Sequence, residues 1–211
     1  MSRFIIFGSG GLGRELVAPA KLALGLRGKN DDVLFAVDSP SDGVFDGDVH
    51  EIAVSDILND DEVVIALGDG ATRRDVSARL SGIPGILVAP TAIIGPEVVI
   101  AEGAVICDYV IVTASATIGK HFQANIFSYV AHDCRVGDFV TLAPRACVNG
   151  NVWIEDGAYI GTGAIIKQGT PESPIIIGRD AVVGMGAVVT KSVPTGAVVV
   201  GNPAKPLNKA V

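Results

Sequence analysis

The sequence predicts a two-part chain: a small α/β unit followed by a longer, three-sided parallel β-solenoid. Two observations point there. A strict period of six runs from Ile94 to Ile166, and a strand, a glycine turn and a helix follow one another at the N-terminus. Composition agrees, because 49% hydrophobic residues with only 5% aromatics suits a narrow interior filled by Ile, Val and Ala.

Stepping by six from Ile94 gives Ile100, Ile106, Val112, Ile118, Ala124, Val130, Val136, Leu142, Val148, Ile154, Ile160 and Ile166. Twelve of these thirteen positions, Ile94 included, are Ile, Leu or Val. Two places before each lies a second, mostly small set that includes Ala92, Ala104, Ala116, Ser128, Cys134, Ala146, Ala158 and Ala164. Gly95, Gly119, Gly137 and Gly161 directly follow the aliphatic residue. A period of six fits neither an isolated helix nor a run of hairpins and marks a solenoid. Each side takes one short strand and a turn, so about eighteen residues return the chain to the same face, and stacked coils pair about 4.8 Å apart. No coil buries its apolar face alone, so the stack is the stabilising unit.

Residues 1 to about 90 read differently. Phe4-Ile5-Ile6-Phe7 is a continuous apolar run, the mark of a strand buried on both faces. It leads into Gly8-Ser9-Gly10-Gly11-Leu12-Gly13 and a helix from Arg14 to about Leu26. That is G-x-G-x-x-G in the setting it requires. The glycines admit a phosphate, and the helix N-terminus offers free N–H groups. Further strands are expected at Val33–Val37, ending at Asp38, at Val63–Leu67, ending in Gly68-Asp69-Gly70, and at Ile86–Val88. A second helix is expected near Thr72–Leu80. Four strands make about half of a dinucleotide fold, so a single nucleotide or nucleotide sugar fits better than NAD. Its contacts would be Gly8, Ser9, Gly10, Asp38, Gly68 and Asp69, at the carboxyl ends of the strands. The plainer reading of the glycines is tight strand-to-helix packing.

The net charge of −7 and pI near 4.9 argue against nucleic acid or an anionic membrane as partner. Three cysteines, Cys107, Cys134 and Cys147, lack metal-site spacing and read as reduced thiols. No apolar run is long enough to span a bilayer. A soluble, cytoplasmic protein with no metal is expected.

Within the solenoid the informative stretch is Asn125 to Asn151. His132-Asp133 falls just past inward Val130, with its side chain expected outside the prism. Eighteen residues on lies Gly150, flanked by Asn149 and Asn151. An imidazole beside a bare peptide N–H is a base paired with a carbonyl-polarising donor. The plainer reading is an ordinary surface histidine. His50 and His121 are expected to face solvent, and Cys134 the core. After Ile166 the stretch 167–174 inserts five extra residues, and the repeat resumes at Ile177, Val183 and Val189. Apolar residues expected on the outer faces, among them Val99, Val105, Phe127, Tyr129 and Ile165, suggest an interface.

These motifs, with Gly201-Asn202-Pro203-Ala204-Lys205, together resemble the nucleotide-sugar acetyltransferases of the sialic-acid O-acetyltransferase and bacillosamine or perosamine N-acetyltransferase type. The resemblance covers essentially the whole chain. It implies a small Rossmann-like domain over 1–90 that binds the nucleotide sugar, and a left-handed β-helix of hexapeptide repeats over 91–211. It also implies acetyl-CoA as donor, a homotrimer, and active sites between neighbouring prisms. His132 matches the general base, Asp133 the acid that orients it, Asn125 a polar contact near the acceptor, and Gly150 the amide facing the thioester carbonyl. CoA is then expected at Gly150, Thr162, Met185 and Pro203–Lys205, with Lys167 or Lys205 at its phosphates. Two positions depart from the pattern: Leu12 replaces the histidine of a Gly-His-Gly turn, and Thr141 stands where a second histidine would.

Three functions compete at this stage. The first is acetyl transfer to an amino or hydroxyl group of a nucleotide-linked sugar, a 4-amino-deoxy sugar for bacterial surface glycans being favoured. The second is a metal enzyme of the γ-carbonic anhydrase kind, which needs three converging histidines. The third is a non-catalytic nucleotide-sugar-binding or scaffold protein.

Overall fold

In the computed structural model, residues 3–29, 32–41, 44–45 and 49–207 are described. The apolar N-terminal run forms β1 (Arg3–Phe7). Ile5 and Phe7 pack on one side with Val63, Ile65 and Val76. Phe4 and Ile6 pack on the other with Leu16, Val17, Ala20 and Leu24. Those last four belong to α1 (Gly11–Leu26), which begins at the glycine turn itself, three residues before the predicted start. β2 (Asp32–Val37) follows, then β3 (Val44–Phe45), β4 (Val49–Ala53), β5 (Glu62–Ile65), α2 (Gly70–Ser77) and β6 (Ile83–Pro84). The sheet order is β3-β4-β2-β1-β5-β6, with β3 alone antiparallel to its neighbour.

Two sequence expectations change here. The strand beside β5 is β6, not Ile86–Val88. Leu87–Val88 instead pairs in parallel with Val105–Ile106 and is the first rung of the prism. The architecture therefore changes a few residues ahead of the expected boundary at 90. Val88 lies six residues before Ile94, in phase with the repeat, and that signal was available in the sequence.

The remainder is a three-faced parallel β-helix. Face one stacks Leu87–Val88, Val105–Ile106, Gln123–Ala124, Thr141–Leu142, Tyr159–Ile160, Val182–Val183 and Val198–Val200, with Lys205–Pro206 closing it antiparallel. Face two runs from Ile93–Ile94 to Val188–Val189, and face three from Val99–Ile100 to Ile175–Ile177. The register advances by eighteen, as in Val105↔Gln123 and Tyr129↔Cys147. Both inward rows are buried, with Ala104, Ala146, Ile106, Leu142 and Ile166 at 0% exposure.

Corners show why the period is strict. Glu97, Tyr109, Ser115, His121, Phe127, Asp133, Phe139, Arg145 and Asn151 all take φ between 49° and 59°, and Gly103, Gly157 and Gly163 complete the series. Left-handed backbone at non-glycine residues costs about 1–2 kcal/mol each, so the paired ladder holds every turn in place. The glycines after the aliphatic residue serve close approach instead. A Cβ at Gly95 would lie 1.4 Å from the carbonyl oxygen of Thr113, and one at Gly161 2.6 Å from the Met185 nitrogen.

His121 and Val105 are not solvent-facing as expected. His121 is buried and stacks on Phe139 at 5.1 Å, with the Arg74 guanidinium 5.0 Å from the same ring. Burial and the nearby Arg73 hold its pKa below the ordinary value. Val105 lies on face one, which is covered over part of its height by the N-terminal unit. His50 is exposed on β4. No helix among the described residues is long and apolar enough to cross a membrane.

Candidate active site

The corner between faces two and three stacks Ala114-Ser115, His132-Asp133, Asn149-Gly150-Asn151 and then the 167–174 loop. The period places them one coil above another. His132 projects outward as expected, with its side chain 49% exposed, and its Nδ1 lies 2.7 Å from Asp133 Oδ2. A carboxylate only accepts, so Nδ1 carries the proton and Nε2 of the neutral ring is left with a free lone pair. The left-handed turn at Asp133, φ 59°, turns the carboxylate back to the preceding side chain.

Gly150 roofs this ring. A Cβ there would lie 2.5 Å from His132 Cε1 and 2.6 Å from Nε2, so only glycine leaves the imidazole in place. The Asn151 N–H donates to the His132 carbonyl at 3.1 Å and ties the two coils together. Above them the inserted loop is anchored, with Gly169 N–H donating to Gly150 O at 2.9 Å and Ile175 N–H to Asn151 O at 3.2 Å. Thr170 and Pro171 of that loop, with Asp133, Asn151, Arg135 and Trp153, line an open groove of about 260 Å³. The Arg135 guanidinium sits 4.5 Å over the Trp153 ring.

Tyr129, expected as an outer apolar residue, and Asn149, expected as a flank of Gly150, bond to each other here. The Tyr129 hydroxyl donates to Asn149 Oδ1 at 2.9 Å, and Asn149 Nδ2 donates to Ile166 O at 2.7 Å. Cys134 faces inward as expected. Its thiol donates to Asn149 O, and burial pushes its pKa up to about 11, which leaves it a thiol at neutral pH.

Asn125 is not part of this corner. It lies between faces one and two, half-buried, with Nδ2 donating to Leu142 O at 2.9 Å. Near it Tyr109 and Phe127 stack at 5.0 Å, and Arg145 lies over Phe127. Thr162, Met185 and Pro203 share this second corner, whereas Gly150 and Lys167 belong to the first. One face of the prism therefore separates the two groups of expected cofactor residues. Met185 is 81% exposed. Pro203 and Lys205 line a cavity of about 320 Å³ with Thr190, Lys191 and Ser192.

In the N-terminal unit the glycine turn is open. Gly8 has φ 99°, and a Cβ at Gly13 would lie 1.9 Å from Gly8 O, whereas nothing lies within 4 Å of one at Gly10 or Gly11. The other expected contacts already hold partners. The Ser9 hydroxyl bonds the Glu51 carboxylate, the first cause of that group's lowered pKa. Asp38 pairs with both terminal nitrogens of Arg79 at 2.9 and 3.1 Å. Asp69 caps α2, accepting from the Thr72 hydroxyl and N–H, which hold its pKa below the ordinary value. Gly68 O accepts from the Thr141 hydroxyl at 2.8 Å. Among the described residues no group of three or more His, Cys, Asp or Glu side chains is placed to hold a metal.

The corner sets a hydrogen-bonded imidazole beside a bare peptide N–H, a pair able to take a proton and to polarise a carbonyl. Known proteins resemble this chain in sequence and in shape. The chain is 40% identical over 185 residues to the GDP-perosamine N-acetyltransferase of Escherichia coli O157:H7, covering 84% of each. WeeI from Acinetobacter baumannii AYE matches in structure with a TM-score of 0.89 and 40% identity, over 98% of this chain and 100% of that one. The acetyltransferase domain of PglB from Neisseria gonorrhoeae FA1090, in complex with acetyl coenzyme A, matches with a TM-score of 0.85 and 28% identity, over 97% and 98%. No protein-family model matches the chain.

Proposed function

This chain belongs to the hexapeptide-repeat nucleotide-sugar acetyltransferases, and from that premise we propose how its residues carry out the reaction and which acceptor they serve. It transfers the acetyl group of acetyl-CoA to an amino group of a nucleotide-linked sugar. The acceptor is a 4-amino-deoxy sugar on guanosine diphosphate, as the name of the Escherichia coli relative suggests, and its product enters bacterial surface glycans. The observation that carries the mechanism is the His132–Asp133 pair packed beneath bare Gly150.

The sugar amine attacks the thioester carbonyl and gives up a proton to His132 Nε2 as the C–N bond forms. Asp133, bonded at Nδ1, stabilises the imidazolium. The Gly150 N–H, which has no hydrogen-bond partner among the described residues, meets the developing oxyanion. Collapse breaks the C–S bond, and the imidazolium proton goes to the departing CoA sulfur. Transfer is direct, because Cys134 is buried and kept as a thiol.

The protein acts as a homotrimer. The outward row of face two reads Ile93, Ile111, Tyr129, Cys147, Ile165 and Val188, with no charge along it. Ile93, Ile111 and Ile165 are exposed, and such a stripe favours burial against a copy in a closed ring. Rotation about a threefold axis brings the His132 corner of one copy against the Asn125 corner of the next. That juxtaposition gathers the two groups of cofactor residues, Gly150 and Lys167 with Thr162, Met185, Pro203 and Lys205, along one groove for CoA. The prism, from its first rung at Leu87 to the closing strand at Lys205–Pro206, fits a left-handed β-helix. The unit ahead of Leu87 is a small Rossmann-like domain that holds the nucleotide at Gly8, Ser9, Gly10, Asp38, Gly68 and Asp69. The enzyme is cytoplasmic, where acetyl-CoA is made.

Incubation with acetyl-CoA and GDP-, UDP- or dTDP-linked 4-amino sugars tests this reading. Thiol release with an N-acetylated GDP-sugar by mass is expected. An ester product, or no thiol release with any of the three, would overturn it.

A further inference from the structure

Where the N-terminal unit meets face one, three polar side chains are buried against each other. Arg73 and Thr141 are 1% exposed, and Gln123 is 0% exposed. Arg73 Nε donates to His121 O at 2.8 Å, and Nη2 donates to Phe139 O and Val140 O. No carboxylate hydrogen-bonds the guanidinium among the described residues. Burying such a cation away from carboxylates is unfavourable, and apolar side chains of similar volume often stabilise as well or better. Stability alone is therefore a weak reason for this cluster.

A guanidinium only donates, so every bond leading away from it has one direction. Nη2 donates to Thr141 Oγ1 at 2.9 Å, and the threonine passes its own hydrogen to Gly68 O at 2.8 Å. Nη1 donates to Leu67 O at 2.5 Å and, over a longer 3.5 Å, to Gln123 Oε1, while the Gln123 amide nitrogen donates to Asn125 Oδ1 at 3.3 Å. Asn125 Nδ2 then donates to Leu142 O. Amide ends are ordinarily exchangeable by a flip. Here the cation at one end and a carbonyl at the other fix both.

We infer that Gln123 and Arg73 are positioning residues for the acceptor, joining the Gly68 loop at the end of β5 to the Asn125 amide at the prism corner as one oriented polar chain. The inference rests on the reading of Gly68 and Asn125 as acceptor contacts. It assigns a role to two side chains that the proposed reaction does not otherwise use.

The test uses the full-length protein with Gln123→Glu and Gln123→Met. Glutamate still accepts from Arg73 but has no hydrogen to give Asn125, and methionine keeps the bulk without either bond. Losing one hydrogen bond of this kind weakens binding about two- to tenfold. Each variant should therefore raise the acceptor KM by that factor and leave the acetyl-CoA KM and Tm near wild type. Adding Asn125→Ala to Gln123→Met should give less than the product of the single effects, since the two act on one contact. An unchanged acceptor KM in both variants, or fully multiplicative effects, would overturn the inference. Calorimetric binding of the GDP-linked amino sugar reads the same contact without turnover. Weakened binding in the variants of a protein that never releases thiol would sustain the inference and remove the acetyl-transfer reading. Unchanged binding would remove the inference alone.

Discussion

Gly150→Ala tests the placement of the base proposed at His132 apart from its chemistry. The new Cβ would lie 2.5 Å from His132 Cε1 and 2.6 Å from Nε2, against a comfortable carbon–carbon separation of about 3.5–4.0 Å. The ring must retreat by about 1 Å or more. It has somewhere to go, because half of the side chain faces solvent, so the fold should absorb the change. A displacement of about 1 Å at a reacting centre costs about a hundredfold in rate. Thiol release should thus show kcat reduced about a hundredfold, with Tm nearly unchanged. A kcat close to wild type with the ring demonstrably displaced would refute the role given to His132. A large fall in Tm would refute the claim that the ring yields freely.

Other expectations follow from single contacts. His132→Ala should lower kcat by about 10²–10⁴ and leave acetyl-CoA binding near wild type by calorimetry; retention of wild-type kcat across the pH range would exclude it as the base. Asp61 is 1% exposed and accepts from Arg3 at 2.6 Å and from Leu58 N–H at 2.7 Å; burial opposes its ionisation, but these donors prevail and hold its pKa below the ordinary value. Its stabilisation is thus present above about pH 4 and fades as pH falls through the lowered pKa, so the Tm deficit of Arg3→Ala should shrink there; a pH-independent deficit would contradict this. Cys107, pushed up to about 12, and Cys134, pushed up to about 11, should resist iodoacetamide in the folded protein at pH 8 and become labelled only on unfolding, read by peptide mass; rapid labelling of either in the folded state would contradict their burial. Asp38→Ala should raise the acceptor KM and leave the acetyl-CoA KM unchanged, since Asp38 and its partner Arg79 sit at the end of β2; a shift in the donor KM would misplace the nucleotide.

What was legible in the sequence was what each coil does for itself. Inward rows, the interruption at 167–174 and the outward His132-Asp133 pair all follow from a period that every coil obeys. The same logic failed where burial comes from another part of the chain. His121 occupies the same turn position as Asp133, yet it lies against Phe139 and close to Arg73 of α2, so it is buried. Arg73 reads as one more basic residue on a short helix, and nothing local announces that it ends inside the protein. Asp69 follows a strand and precedes a helix, a setting that suits a ligand contact and an N-cap equally; in the structure its carboxylate accepts from Thr72 as the cap of α2. Separation of Asn125 from His132 was also within reach, since seven residues cannot be a whole number of coils.

The central claim is that one catalytic site draws His132 from one copy and Asn125 from the next. Mixed trimers of His132→Ala and Asn125→Ala chains measure it directly. Each variant alone should be nearly inactive, whereas random mixing in a closed ring restores about a quarter of the sites to wild-type composition. Thiol release from the co-assembled protein should rise to about that fraction of wild type. Activity no higher than that of either parent, in mixtures shown by native mass spectrometry to contain both chains, would contradict the shared site.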